Sequence, residues 1–277
     1  MRQLFAILAA GLALAAPGSY TTDIAVWRAA YEAELRAPGG WLAVAGLFWL
    51  HEGDNAVGSD PLSEIVMPVR THKRFGRLTL ASGAVEFVPV SGAARILKPD
   101  TPGPADVVDI DGVAMTIILR GGRLGVRLRD PDAPARRDFS GSHWFPADEK
   151  WRVQAKWLPA QAGKTIPVTN VLGMTSQEPS PGTATFALGG HTLSLEPVIE
   201  DGDLFFMFKD ATSGHSTYGA GRFLHAAMPK EGTVMLDFNK AYNPPCAFTA
   251  FATCPLPPKQ NNLPLVVDAG EMNYGNH

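Results

Sequence analysis

The 277-residue chain is sparing with the residues that most often announce chemistry. It has two cysteines, Cys246 and Cys254, and seven histidines scattered along its length. No H-E-x-x-H occurs and no two histidines stand at i, i+4, which argues against the known zinc-hydrolase patterns; no metal is expected. There is no G-x-S-x-G nucleophile elbow. Gly163-Lys164-Thr165 resembles the end of a phosphate-binding loop, but the glycine required five positions before Gly163 is Leu158. Gly219-Ala220-Gly221 opens like a dinucleotide fingerprint, yet its third glycine position is Leu224. No cofactor is implied.

Charge is scarce as well. Charged residues make up 18 % of the chain and the net charge is −3, which gives no basic surplus for a nucleic-acid partner. Long apolar runs are missing: none reaches the roughly 20 residues that span a bilayer, so no membrane span is expected. The longest run, Leu4 to Leu14, follows Arg2 and leads into Ala13-Leu14-Ala15 and Pro17-Gly18. That order of a charge, an apolar run and small residues is the layout of a secretory signal peptide over residues 1–16. No cysteine follows to carry a lipid. The expectation is an exported protein, periplasmic or secreted.

What is present is glycine (28) and proline (23) between many short apolar runs, with 45 % hydrophobic residues overall. This pattern predicts a mostly β protein, built as packed β layers or two β subdomains. One amphipathic helix is expected near the N-terminus. There Ile24, Trp27, Tyr31 and Leu35 recur at helical spacing behind a Thr22-Asp23 cap, and Pro38-Gly39-Gly40 ends the helix. Residues 22–150 then read as helix plus β region and 151–277 as a second β region, with no linker marking the boundary. Arg123 to Arg129 alternates strictly, which puts its arginines on one face of a half-buried strand. Arg222–Ala226 and Thr233–Phe238 read as a hairpin around Pro229-Lys230-Glu231-Gly232.

The stretch from Tyr218 to Glu271 carries the densest polar pattern. It contains Tyr218-Gly219-Ala220-Gly221-Arg222, Asp237-Phe238-Asn239-Lys240-Ala241-Tyr242-Asn243-Pro244-Pro245-Cys246, Thr253-Cys254-Pro255, Asn261-Asn262-Leu263 and Ala269-Gly270-Glu271. With Gly40-Trp41-Leu42, Arg127-Leu128-Arg129-Asp130, Phe139-Ser140-Gly141 and Asn170-Val171-Leu172-Gly173 upstream, these segments resemble the bacterial and archaeal family called domain of unknown function 1684. The resemblance implies a mostly β domain and no established activity. A fainter likeness, Gly53 to Met67, is similar in rhythm to the opening of a forkhead-associated β-sandwich. The arginine those domains place after the glycine is Ser59 here.

On the residues themselves, Arg222 and Asp237 would face each other across the hairpin. Tyr218, Arg222, Asn239, Tyr242, Asn243 and Asn261 could then line a concave patch for a small polar or anionic ligand, with Arg222 holding an anion. Asp237 and Glu271 are the candidate acid/base pair. The alternative is a structural or partner-binding envelope protein with no catalytic activity, in which the same side chains tie up loop backbone. In that reading the Arg123, Arg127 and Arg129 face meets an acidic partner. The polar end Met272–His277 reads as frayed. Cys246 and Cys254 form a candidate disulfide under one condition. As one continuous helix they would lie about 12 Å apart, against a limit of about 6.8 Å. Either the helix stops after a turn and the chain returns, or both thiols stay free. A nucleophilic cysteine would want a histidine base, and neither has one near in sequence.

Overall fold

The structure is a computed structural model that describes residues 19–275. The expected signal peptide and the last two residues lie outside the described part. The protein is mostly β with one N-terminal helix, α1 (Tyr20–Arg36). The cap is Ser19, whose hydroxyl accepts from Thr22 N–H, and not Thr22-Asp23.

Nine strands follow: β1 (Val44–Trp49), β2 (Gly53–Gly58), β3 (Ile65–Val66), β4 (Gly76–Ala81), β5 (Ala84–Pro89), β6 (Arg95–Leu97), β7 (Val107–Ile110), β8 (Val113–Arg120) and β9 (Arg123–Arg129). They make two sheets, ordered β1-β9-β8-β7 and β3-β2-β4-β5-β6. Alternate residues such as Leu78, Val85, Phe87, Met115, Ile117, Val126 and Leu128 fill the space between them. Ser59 Oγ donates to Thr71 O and so serves the local turn. The expected arginine face is not solvated along its length. Arg127 is 4 % exposed, with its guanidinium 5.0 Å from the centre of the Trp41 ring.

The second half holds β10 (Arg152–Pro159), β11 (Thr165–Thr169), β12 (Thr175–Pro179), β13 (Gly182–Leu188), β14 (His191–Leu195), β15 (Val198–Glu200), β16 (Asp203–Phe208), β17 (Arg222–Ala226) and β18 (Thr233–Asp237). Their sheets are β14-β13-β10-β18, β15-β16-β17 and the hairpin β11-β12. Leu204 to Phe208 is apolar throughout because both faces of β16 are covered. Leu204, Phe206 and Phe208 join the core over β10 and β13, whereas Phe205 and Met207 pack toward β11. The expected hairpin between β17 and β18 does not form. β17 pairs with β16, β18 pairs with β10, and the turn at 229–232 carries the chain from one sheet to the other.

That separation changes the partner of Arg222. Its Nη2 meets Asp210 Oδ2 at 2.5 Å, and both side chains are fully buried. The guanidinium also donates to the carbonyls of Val267 and Ala269. These belong to an extended strap, 261–269, whose residues alternate buried and exposed; its first half pairs in parallel with residues 209–211, and that pairing stops short of Val267 and Ala269. Leu263, Val267 and Ala269 enter the main core, and Arg222 supplies the donors that a neighbouring strand would have given. Gly270 follows with φ +79°, where a Cβ would lie 2.4 Å from Ala241 O. Beyond it the chain stays docked rather than frayed: Met272 N–H bonds His143 O and Tyr274 packs on Phe248.

Replacing Asp210 by Ala strands a buried guanidinium and should cost about 3–5 kcal/mol. Urea denaturation against wild type measures it, and a loss under about 1 kcal/mol would show that the strap is held by other means.

Candidate functional site

The C-terminal loops are built from asparagine and carboxylate side chains that stand in for a sheet. Asn261 accepts from Glu196 N–H and donates to Glu196 O and Met207 O. Asn239 accepts from Asp148 N–H and donates to Asp148 O and the Tyr20 hydroxyl. Asp237 accepts from the Tyr20 hydroxyl at 2.7 Å and from Asn239 N–H. Glu271 Oε2 accepts from Asn243 N–H at 2.7 Å and from the Tyr31 hydroxyl at 3.2 Å. The Tyr218 hydroxyl donates to Cys246 O. Asp237 is therefore engaged with the start of α1, not with Arg222.

Beside this framework lies a cavity of about 510 Å³. Several separate stretches wall it: Tyr31 and Leu35 of α1, Trp41, the β8–β9 turn at Arg120 and Gly121, the β11–β12 hairpin, the sheet β15–β17, and the loops at Tyr242–Pro245 and Thr253–Pro255. Of the residues singled out in sequence, Tyr242, Asn243 and Cys254 reach the wall. Tyr218, Arg222, Asp237, Asn239, Asn261 and Glu271 lie outside it. Tyr31, read in sequence as helix face, and Trp41, read as part of Gly40-Trp41-Leu42, are wall residues as well. No local pattern marks them, because the wall assembles only in three dimensions.

The wall is aromatic on one side, with Phe205, Phe223 and Tyr242 in edge contacts. His225 Nε2 lies 2.9 Å from the Tyr242 hydroxyl and 3.4 Å from Glu200 Oε2. Burial lowers the His225 pKa and raises those of Glu200 and Tyr242. Burial thus favours the neutral imidazole, whose Nε2 shares a hydrogen bond with the tyrosine hydroxyl.

On the other side Arg120 and Trp41 line the wall, and the interior behind them is basic through Arg127 and Arg129, which do not line the cavity themselves. Arg120 forms a bidentate pair with Asp100. Arg127 forms no ion pair among the described residues, and its Nε and Nη2 have no hydrogen-bond partner. Burial first, and then the charges of Arg120 and Arg129, depress its pKa to about 10, so it stays charged at neutral pH. Arg129 lies 6.0 Å from the same Trp41 ring. Among the described residues no three His, Cys, Asp or Glu side chains converge on a metal-sized site, and no helix is long and apolar enough to cross a membrane.

The family model described as protein of unknown function (DUF1684) matches residues 137–272. This chain belongs to that family. The matched segment holds β10 to β18 and the strap, whereas Tyr31, Trp41, Arg120 and Arg127 lie before it. No curated protein matches the chain. Among solved structures, it is similar to the solution NMR structure of an uncharacterised protein from gene locus rrnAC0354 of Haloarcula marismortui. The two are 31 % identical over 52 % of this chain and 82 % of that one, with a TM-score of 0.43.

Glu271 generates a prediction of its own. Burial pushes its carboxyl up to about 7 from an ordinary 4.5. The folded state holds a proton there that the unfolded chain releases, so the stabilisation is complete below pH 4.5 and is lost as pH rises through 7. Relative to Glu271→Gln, wild type should lose roughly 3 kcal/mol across that window. Denaturation of both proteins at the two ends measures it; parallel pH profiles would refute it.

Proposed function

We propose that the cavity binds a small anionic molecule with an apolar, preferably aromatic, body. The observation that carries this is Arg127, a cation 4 % exposed with no acid to pair with among the described residues. A buried charge without a partner costs several kcal/mol and serves no purpose in a purely structural sheet face. Its unpartnered Nε–Nη2 edge, buried behind the cavity wall, is the side of a guanidinium that meets a carboxylate or other oxyanion in two parallel bonds. Trp41, on which it stacks, belongs to the cavity wall. The remaining wall, rich in Tyr, Phe and Trp with a few amides, suits an apolar body, and the volume falls within the range of about 300–1,000 Å³ typical of small-molecule sites. Tyr242 and Asn243 keep their place in this reading. Arg222 gives up the anion to Arg127, and Glu271 supports Tyr31 and Asn243 from behind. The layout of residues 1–16 supports an exported protein, periplasmic or secreted.

The test uses a matched pair of fluorescent probes, 8-anilinonaphthalene-1-sulfonate and neutral N-phenyl-1-naphthylamine. Arg127→Met should weaken the sulfonate about tenfold or more, as loss of a charged hydrogen bond implies, and leave the neutral probe unaffected. The variant should melt no lower than wild type. Unchanged sulfonate affinity together with a lowered melting temperature would assign Arg127 to the fold instead.

A further inference from the structure

Cys246 and Cys254 satisfy the geometric condition that their sequence set. Pro244 precedes a single 3₁₀ turn, Pro245–Ala247, after which the chain bends back. Cys246 N–H then donates to Cys254 Sγ at 3.1 Å, which places both sulfurs in one small space. No disulfide joins them in the structure. Cys254 stands in the cavity wall between Thr253 and Pro255, and Cys246 is half-buried.

Two features separate this pair from an ordinary structural bridge. First, the loop has no need of a covalent tie. Val171 N–H bonds Cys254 O, Leu256 N–H bonds Thr169 O, and the Tyr218 hydroxyl bonds Cys246 O, so both ends are already pinned. Second, the surroundings favour one thiolate. The Cys254 thiol hydrogen-bonds Cys246 and lowers its pKa, helped by the positive charge of Arg127, while Cys254 itself is held well above the usual thiol range by the same bond and by burial.

We propose that Cys246 and Cys254 form a redox-active dithiol that exchanges with low-molecular-weight disulfides at the edge of the cavity, where Pro245 and Cys254 line the wall and the half-buried Cys246 lies next to them. The inference rests on the cavity admitting small molecules. Cys246, after giving its proton to water, attacks one sulfur of the small disulfide and breaks that S–S bond. A mixed disulfide forms and one small thiolate leaves. Cys254 passes its proton to that thiolate and attacks the Cys246 sulfur, which expels the second thiolate; this one takes a proton from water. The dithiol is oxidised by two electrons, and the disulfide is reduced to two thiols.

The experiment treats the reduced, natively folded protein with oxidised glutathione and reads intact mass after alkylation. Wild type should lose two hydrogens and carry no adduct, and mild dithiothreitol should restore it without unfolding. Cys254→Ser should trap one glutathione on Cys246, whereas Cys246→Ser should collect far less. Both serine variants should melt within a few degrees of wild type. Two independent adducts on wild type, no reaction short of denaturant, or an oxidised form that resists reduction until unfolded would each overturn the proposal. Probe binding on the double serine variant separates the two readings. Binding retained, with no exchange in wild type, sinks the dithiol and leaves the cavity. Absence of probe binding in every form sinks the cavity reading.

Discussion

A buried stretch of extended chain that outruns its backbone neighbour must find hydrogen bonds elsewhere, and the rest of this molecule is arranged around that demand. The strap at 261–269 crosses the main core with its apolar side chains inward. Its carbonyls are met by Arg222, fixed in turn by Asp210 at the end of β16. Asn261 and Asn239 repeat the solution, each offering an amide where a strand would have offered a peptide. Removing any of them leaves polar backbone without water or a partner, which explains why so many polar side chains sit in the interior of a β protein.

Two buried arginines show the difference between a group that holds the fold and one that does not. Arg222 is fully enclosed, with an aspartate and two carbonyls around its guanidinium. Arg127 is almost as deeply buried, yet it has no ion-pair partner among the described residues: its guanidinium lies over a tryptophan face, near other arginines and within reach of the charge of Asp100. The same residue type thus has opposite standing in two sheets. The framework is electrically closed, and the surplus of positive charge lies beside the cavity.

Much of the fold was legible from periodicity. The alternation in Arg123–Arg129 and the continuous apolar run in Leu204–Phe208 correspond to β9 and β16, and the turn residues Gly189-Gly190 and Asp201-Gly202 stand with positive φ as tight turns require. Short polar strands such as β2 and β12 escaped because they carry few apolar residues. Pairing was harder. Arg222 and Asp237 are near in sequence, but β17 and β18 enter different sheets, a choice made by long-range packing. The cavity was the least legible feature, since several distant stretches contribute to it and only the loops at 242–245 and 253–255 were marked by their composition. The cysteines fell between these cases: the condition for their approach could be stated, and the loop path that meets it could not.

Helix α1 opens the described chain but docks on its far end. Tyr20 reaches Asp237, Arg28 reaches Asn239 O, and Tyr31 reaches Glu271 across 240 residues of sequence. Loop closure over such a span has its entropy cost before any contact rewards it. The helix therefore finds its seat only after the last segment has found its own. During synthesis the earliest helix must wait for the latest loop, and the cavity wall that Tyr31 completes is among the final parts of the molecule to come into being.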